Sequence, residues 1–348
     1  MTALRHAVGV SATRPFPPAR AWLLAGLLAD CSRSAPPATH RSVQTGSIPA
    51  ATADLRLAYE IIGSGPDTAL VLHGGPGLSS GSVRGALDAL SPRWTFILYD
   101  QRGRGRSTAV ADSAALTVAQ DVADLDDVRT RFHLERVTLV AHHWGAILAA
   151  LYAKAHPDRV KRLLLLSPTF PSSGFLFWAS TLPNDEPATQ EYLGALKAGE
   201  DTAHPLQFCR RYWGFAFSPV EVTDPGLLAR LSGDMCDAPL AALRDAARIT
   251  HLVAHSLHGF SLKDTLGSIA VPILVVQGRG DTASLAAGHA WAEWSRDGRQ
   301  LVLPGPGLFP WLGDPRRYRV AVELFFAGAW PQHAVRPVPS ADTQRAAR

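Results

Sequence analysis

The run Val137-Thr138-Leu139-Val140-Ala141-His142-His143-Trp144-Gly145-Ala146 decides how this chain folds. Its first four residues are apolar or β-branched, which suits a strand covered on both faces. Residues 146–155 then form a strong helix pattern that Pro157 stops. A buried strand feeding a helix is one step of an α/β architecture, and the step recurs on either side. Residues 69–72, 95–99, 163–166, 273–276 and 301–303 are further short apolar runs. Between two of them, Val118, Val122, Leu125, Val128 and Phe132 fall at three- and four-residue spacing and make one apolar helix face. The alternation from Leu55 onward predicts a mostly parallel sheet flanked by helices.

The rhythm breaks after Pro168. Residues 171–265 carry no convincing buried strand and many aromatics, among them Phe175, Trp178, Trp213 and Phe215, so they read as an inserted helical cap. Such an insertion sits over the C-terminal ends of the strands, where α/β proteins bind ligands. The expected organisation is a leader and tether over 1–47, a core formed by 48–170 and 266–330, the cap over 171–265, and a disordered tail over 331–348.

With 348 residues the chain has room for one large core plus that insertion. The formal charge of +4 does not mark a nucleic-acid surface, because residues 1–42 hold +4 and residues 331–348 hold +2, leaving the body at −2. Arg5, Arg14 and Arg20 precede a short apolar stretch and Cys31. That layout reads either as an export signal with a poor lipoprotein box, spoiled by Asp30, or as an unstructured leader or misplaced start. Membrane attachment is expected only through a lipidated Cys31, and location divides between export and the cytoplasm. Cys209 and Cys236, both in the cap, are a staple in an exported protein and two buried thiols in the cytosol.

Two glycine-rich segments follow predicted strands: His73-Gly74-Gly75-Pro76-Gly77 and Asp100-Gln101-Arg102-Gly103-Arg104-Gly105-Arg106-Ser107. Together with 139–146 they resemble the prolyl aminopeptidase family of α/β hydrolases, over roughly residues 53–330. The resemblance implies an α/β-hydrolase fold with a nucleophile elbow at residues 141–145. It also implies an oxyanion hole from the N–H groups of Gly75 and Trp144. Arg102 and Arg104 are expected to hold loops rather than touch substrate. His73, Gly74, His142 and Trp213 are candidates for the pocket.

At two positions the chain departs from that family. Where the family has its nucleophilic serine, this chain has His143. Where the family has its catalytic histidine, in a segment resembling Pro304-Gly305-Pro306-Gly307-Leu308-Phe309-Pro310-Trp311-Leu312, it has Leu308. Asp281, after Gly278-Arg279-Gly280, matches the family's acid. Serine hydrolysis needs a hydroxyl beside a base, so the ordinary family reaction is not expected.

Three readings remain: a pseudoenzyme that binds an apolar or aromatic small molecule, a non-hydrolytic acid/base enzyme of lyase, isomerase or cyclase type using His143, and a rebuilt hydrolase. His143 and Asp281 are the catalytic candidates. No cofactor and no metal are expected; His251, His255 and His258 lack the carboxylate or cysteine partners of a metal site. Acidic cap residues hold the substrate amine in the resembled family; Glu191, Glu200 and Glu221 are available for that role, which the sequence assigns to no one of them.

Overall fold

The structure, a computed structural model, describes residues 43–50, 55–88, 90, 93–173, 194–195, 198–217, 224–280 and 282–338. The leader with Cys31, Asp281, Glu191, Glu221 and residues 339–348 therefore lie outside the described residues. Among the described residues, eight strands form one sheet: β1 (Val43–Pro49), β2 (Arg56–Ile62), β3 (Asp67–Leu72), β4 (Trp94–Tyr99), β5 (Val137–His142), β6 (Val160–Leu166), β7 (Ile273–Gly278) and β8 (Gly298–Leu303). Their spatial order is β1-β2-β4-β3-β5-β6-β7-β8. The first two strands pair antiparallel, and β3 to β8 run parallel.

Helices cover both faces, as a parallel sheet requires. One face carries α2 (Val118–Arg131) and α3 (Gly145–Ala155), whose Leu125, Val128, Ile147 and Leu148 are buried with Leu70, Leu139 and Leu163. The other carries α1 (Gly81–Asp88), whose Val83 and Leu87 are buried with Val71, Val140 and Val276. Alternate residues of β5 and β7 thus enter opposite cores, which is why these strands read as unbroken apolar runs.

After β6 the chain leaves the sheet. The described cap contains α4 (Glu200–Ala203), α5 (Pro205–Phe217), α6 (Pro225–Met235) and α7 (Leu240–His255). Its two ends close on each other, with Ser173 N–H donating to the Phe260 carbonyl and Leu262 N–H to that of Pro171. Then come α8 (Lys263–Ser268), α9 (Thr282–Trp294), α10 (Pro310–Gly313) and α11 (Pro315–Phe326). Cys209 on α5 and Cys236 at the end of α6 are joined by a disulfide. No helix among the described residues is long and apolar enough to cross a membrane.

Two boundaries expected from composition are corrected. The tether was expected to reach Ser47, but Val43–Pro49 pairs residue for residue with β2. Residues 44–47 are exposed, so backbone hydrogen bonds hold this part of the strand, with Ile48 beyond it buried in the core, and composition does not register those bonds. The tail expected from 331 is likewise ordered as far as 338. Gln300 and Val335 exchange two backbone hydrogen bonds, and Ala334 is buried. That segment supplies partners to the open edge of β8, which would otherwise leave backbone groups unpaired.

The seat of the cap on the core is tight at one point. A Cβ on Gly77 would lie 2.4 Å from both the Ala246 carbonyl oxygen and the Thr250 hydroxyl of α7. Gly77→Ala should therefore displace α7 and destabilise the fold by about 1–3 kcal/mol, read from denaturant unfolding. Gly233→Ala, in α6 with nothing within 4 Å of its added methyl, should be neutral or stabilising by up to about 1 kcal/mol. Equal losses for the two would mean that α7 is not seated on Gly77.

Candidate functional site

The strand order reverses around β3: β4 lies on one side of it and β5 on the other. A parallel sheet opens a crevice at such a switch point, outside the C-terminal ends of the strands. The two loops that flank it are the one after β3, carrying Gly74 to Gly77, and the one after β5, carrying His143.

His143 has φ 50, a left-handed conformation uncommon for a side chain with a Cβ. It is the single residue between β5 and Trp144, which caps α3. Its amide donates to the Leu166 carbonyl of β6, and its carbonyl accepts from Ala146 and Thr169. Gly145 packs on β3, where a Cβ would stand 2.6 Å from the Leu72 carbonyl oxygen. The strand–turn–helix expected from the sequence is thus formed, with an imidazole at its apex.

The β3 loop abuts that apex. A Cβ on Gly74 would lie 3.2 Å from the His143 Cβ and 3.3 Å from His142 Nδ1. Gly75 has φ 135, in the region that favours glycine. This loop is held from beneath by the Asp100 segment. The Arg104 guanidinium donates from Nε to the Pro76 carbonyl at 2.6 Å and grips Asp121 with its other nitrogens at 2.6 and 2.8 Å, with no exposure of either side chain. Arg102 makes the matching fork to Asp124 at 2.7 and 2.5 Å. Asp100 accepts from the Ser80 and Arg106 amides, both at 2.7 Å. Both arginines hold loops, as expected.

His73, expected to line the pocket, is instead a buried brace. Its Nδ1–H donates to the Gly74 carbonyl at 2.8 Å, and its Nε2 accepts from the Gln101 amide at 3.1 Å. Both ring nitrogens are spent joining the loops after β3 and β4. His142 is also buried; its Nε2–H donates to the Leu308 carbonyl at 3.0 Å, and its ring lies against Phe309 and Trp311. That bond brings the backbone of position 308 beside the elbow. Sequence reading did not find this link, because it is made by a carbonyl.

The loops after β7 and β8 are tied together as well. Gly307 O accepts from Ser167 Oγ, Gln277 Nε2 and the Gly278 amide, at 2.6, 3.2 and 3.3 Å. Gly280 N–H donates to the Gly305 carbonyl at 3.0 Å. On the cap side, Trp213 of α5 is partly buried against the apolar cluster that holds Phe309 and Trp311, as are Leu227, Leu228 and Leu308. Glu200 is paired with Arg211 on an exposed face, at 2.6 Å. His251 and His255 stack on α7, where His255 Nδ1–H donates to the His251 carbonyl.

Burial sets the charge state of the three histidines. Desolvation pushes His73 down to about 4, His142 to about 3 and His143 to about 4, with the neighbouring His143 ring adding to the effect on His142. His143 keeps part of its surface open to solvent, yet protein surrounds its ring closely enough to keep it neutral at pH 7.

Folded-state values below the unfolded value of about 6.5 mean that the unfolded chain binds protons first as pH falls. Stability contributed by these groups is full above pH 6.5 and is lost toward pH 4. The urea midpoint should hold steady from pH 8 to 7 and fall continuously between pH 6.5 and 4.5; a flat midpoint across that window would show that the imidazoles are not buried neutral. Asp121→Ala should cost about 3–5 kcal/mol, because it leaves Arg104 charged and buried without its partner. A loss under about 1 kcal/mol, typical of a surface pair, would remove Arg104 as the brace of the Pro76 loop.

Comparison with known proteins agrees with the architecture. Residues 69–307 match the family model described as the alpha/beta hydrolase fold. The proline iminopeptidase of Lactobacillus delbrueckii subsp. lactis is 26% identical over 279 residues, covering 74% of this chain and 90% of that protein. That of Heyndrickxia coagulans is 39% identical over 99 residues, which are 28% of this chain and 34% of that protein. Among solved structures, VinJ superposes with a TM-score of 0.62 at 22% identity, covering 83% of this chain and 99% of VinJ. The proline iminopeptidase of Mycobacterium smegmatis gives 0.58 at 22% identity, over 82% of this chain and 98% of that one. Identities this low speak for the fold alone. By the family match, this chain belongs to the α/β-hydrolase fold family and resembles proline iminopeptidases.

Proposed function

We propose that this protein binds a small apolar or aromatic molecule at the switch-point crevice and is a pseudoenzyme with respect to serine hydrolysis. One observation carries the reading: the elbow presents His143, and the neighbouring position after β8 presents Leu308. A serine hydrolase requires a hydroxyl at the first place and an imidazole at the second. The loop geometry that would surround a ligand is present without the pair that would cleave it. The Gly75 and Trp144 amides are the proposed anion-facing donors, since one lies in a glycine loop against the apex and the other opens α3. Leu308 and Trp213, partly buried against the cluster that holds Phe309 and Trp311, are the proposed apolar surface, which fits an apolar or planar ligand. The Cys209–Cys236 disulfide fits an oxidising compartment, and export is proposed with it.

Acid/base catalysis by His143 is the second reading, favoured by the partial exposure of the residue. A general base works best with a pKa near the working pH, and an imidazole pushed down to about 4 is a weak one at neutrality. Binding is therefore preferred.

The deciding experiment rebuilds the missing pair. His143→Ser combined with Leu308→His should hydrolyse 4-nitrophenyl acetate at least about tenfold faster than the parent, with burst release of nitrophenol from an acyl-enzyme. Neither single substitution should do so, because a serine without its base works as poorly as a base without its serine. A folded double variant no faster than the parent would show that the proposed oxyanion donors or the Asp281 loop do not serve. If the parent itself turns over a substrate and His143→Ala abolishes this, the acid/base reading replaces the pseudoenzyme.

A further inference from the structure

The cap helix that carries Trp213 packs chiefly on other cap helices. α5 packs on α4, α6 and α7, whereas α6 packs on α1 of the core. Leu231 and Met235 of α6 are buried in the same apolar cluster as Val83 and Leu87 of α1. Just past α6 the chain is clamped to the core by polar contacts. Ser79 Oγ donates to the Asp237 carbonyl at 2.8 Å, Arg106 Nη2 meets Asp237 Oδ1 at 2.7 Å, and Arg84 Nη1 meets Asp237 Oδ2 at 3.5 Å. Arg84 is itself fixed by Glu60. Each ion pair is partly exposed and weak alone, but three core residues converge on one cap residue.

Cys236 is the residue before that clamp, and its sulfur is bonded to Cys209 of α5. Cys209 and Trp213 stand four apart on one helix, so they share a face. The bond therefore joins the Trp213 face of α5 to the residue next to that clamp. Trp213 packs on the cluster containing Phe309 and Trp311, whose rings touch His142 beside the elbow.

We propose that the Cys209–Cys236 disulfide positions Trp213 as the cap-side wall of the ligand crevice, so that the site holds its ligand tightly only in the oxidised protein. The inference rests on the ligand-binding reading above and adds its regulation. Cys236 is buried, but Cys209 is partly exposed and offers a dithiol reductant an approach. In the reductive step, one thiolate of the dithiol attacks a cystine sulfur and its second thiol closes the cyclic disulfide. The protein gains two electrons and two protons as two thiols, and the dithiol is oxidised by the same amount. The Asp237 clamp stays in place, so α6 and α7 remain on the core while α5 loses its tether.

Hydrogen exchange read by mass spectrometry tests the mechanical half on the full chain, comparing oxidised parent, parent reduced with dithiothreitol, and the Cys209→Ser/Cys236→Ser variant. Amides of α5 should exchange about tenfold faster in both thiol-free and reduced forms, with α6, α7 and β5 unchanged. Unchanged exchange in α5, or equal loosening of α6, overturns the proposal. Titration with 1-anilinonaphthalene-8-sulfonate, an apolar aromatic probe, tests the binding half. The oxidised parent should bind it saturably and the reduced parent several-fold more weakly. Trp213→Ala should lower the oxidised affinity to the reduced level, leaving reduction no further effect. Equal or tighter binding after reduction overturns this inference while leaving the binding site intact. Absence of saturable binding by the oxidised parent overturns the binding reading itself, and the inference falls with it.

Discussion

The reversal of strand order around β3 is the constraint on which the rest depends. Strands added to either side of β3 force the chain to depart in two directions, so the loops after β3 and β5 cannot be bridged by a helix over that seam. They meet each other instead, with the Gly74 backbone against the His143 Cβ. Every later feature of the crevice is an answer to this contact. The apex must turn sharply enough for α3 to run back along the sheet, and the β3 loop must be shallow enough to pass the apex. Helix α7 of the cap then seats on the β3 loop at Gly77.

Keeping that contact in one arrangement falls to charge rather than to apolar packing. The Arg102–Asp124 and Arg104–Asp121 forks are buried on both sides, where desolvation makes a salt bridge a poor source of stability. Their value is directional. Five N–H donors in a fixed plane let Arg104 reach Asp121, the Arg102 carbonyl and the Pro76 carbonyl at once. An apolar side chain of the same volume would fill the space but would not fix a loop whose backbone has to stay within reach of α3. His73 acts in the same manner, as a neutral imidazole spent on one carbonyl and one amide.

Legibility followed the kind of force that holds each part. Core strands such as β5 and β7 were readable because burial on both faces writes an unbroken apolar run, and α2 because burial on one face writes a helical period. Residues 43–47 of β1 and the 331–338 segment were not, since edge hydrogen bonds that any backbone makes hold most of them, and a single buried residue, Ile48 or Ala334, writes no pattern. At the site, the apex and its small neighbours were legible through the turn they must form, and the bracing role of Arg102 and Arg104 through their place in a glycine-rich loop. The role of His73 was misread because a histidine after a strand looks the same whether it faces a ligand or braces a loop. The bond from His142 to the Leu308 carbonyl had no signal in side chains at all.

The same division explains how the turn after β5 accommodates an imidazole at its apex. What shapes the turn lies in neighbours of the apex: Gly145 against the Leu72 carbonyl, Gly74 against the His143 Cβ, and the His143 amide and carbonyl in bonds made by the backbone. None of these depends on which side chain the apex carries, provided it tolerates φ near 50. The position after β8 is equally indifferent, because His142 binds residue 308 through its carbonyl, and leucine presents that oxygen as well as histidine would. The turn and the loop after β8 are thus shaped by backbone atoms, whichever side chains stand at positions 143 and 308.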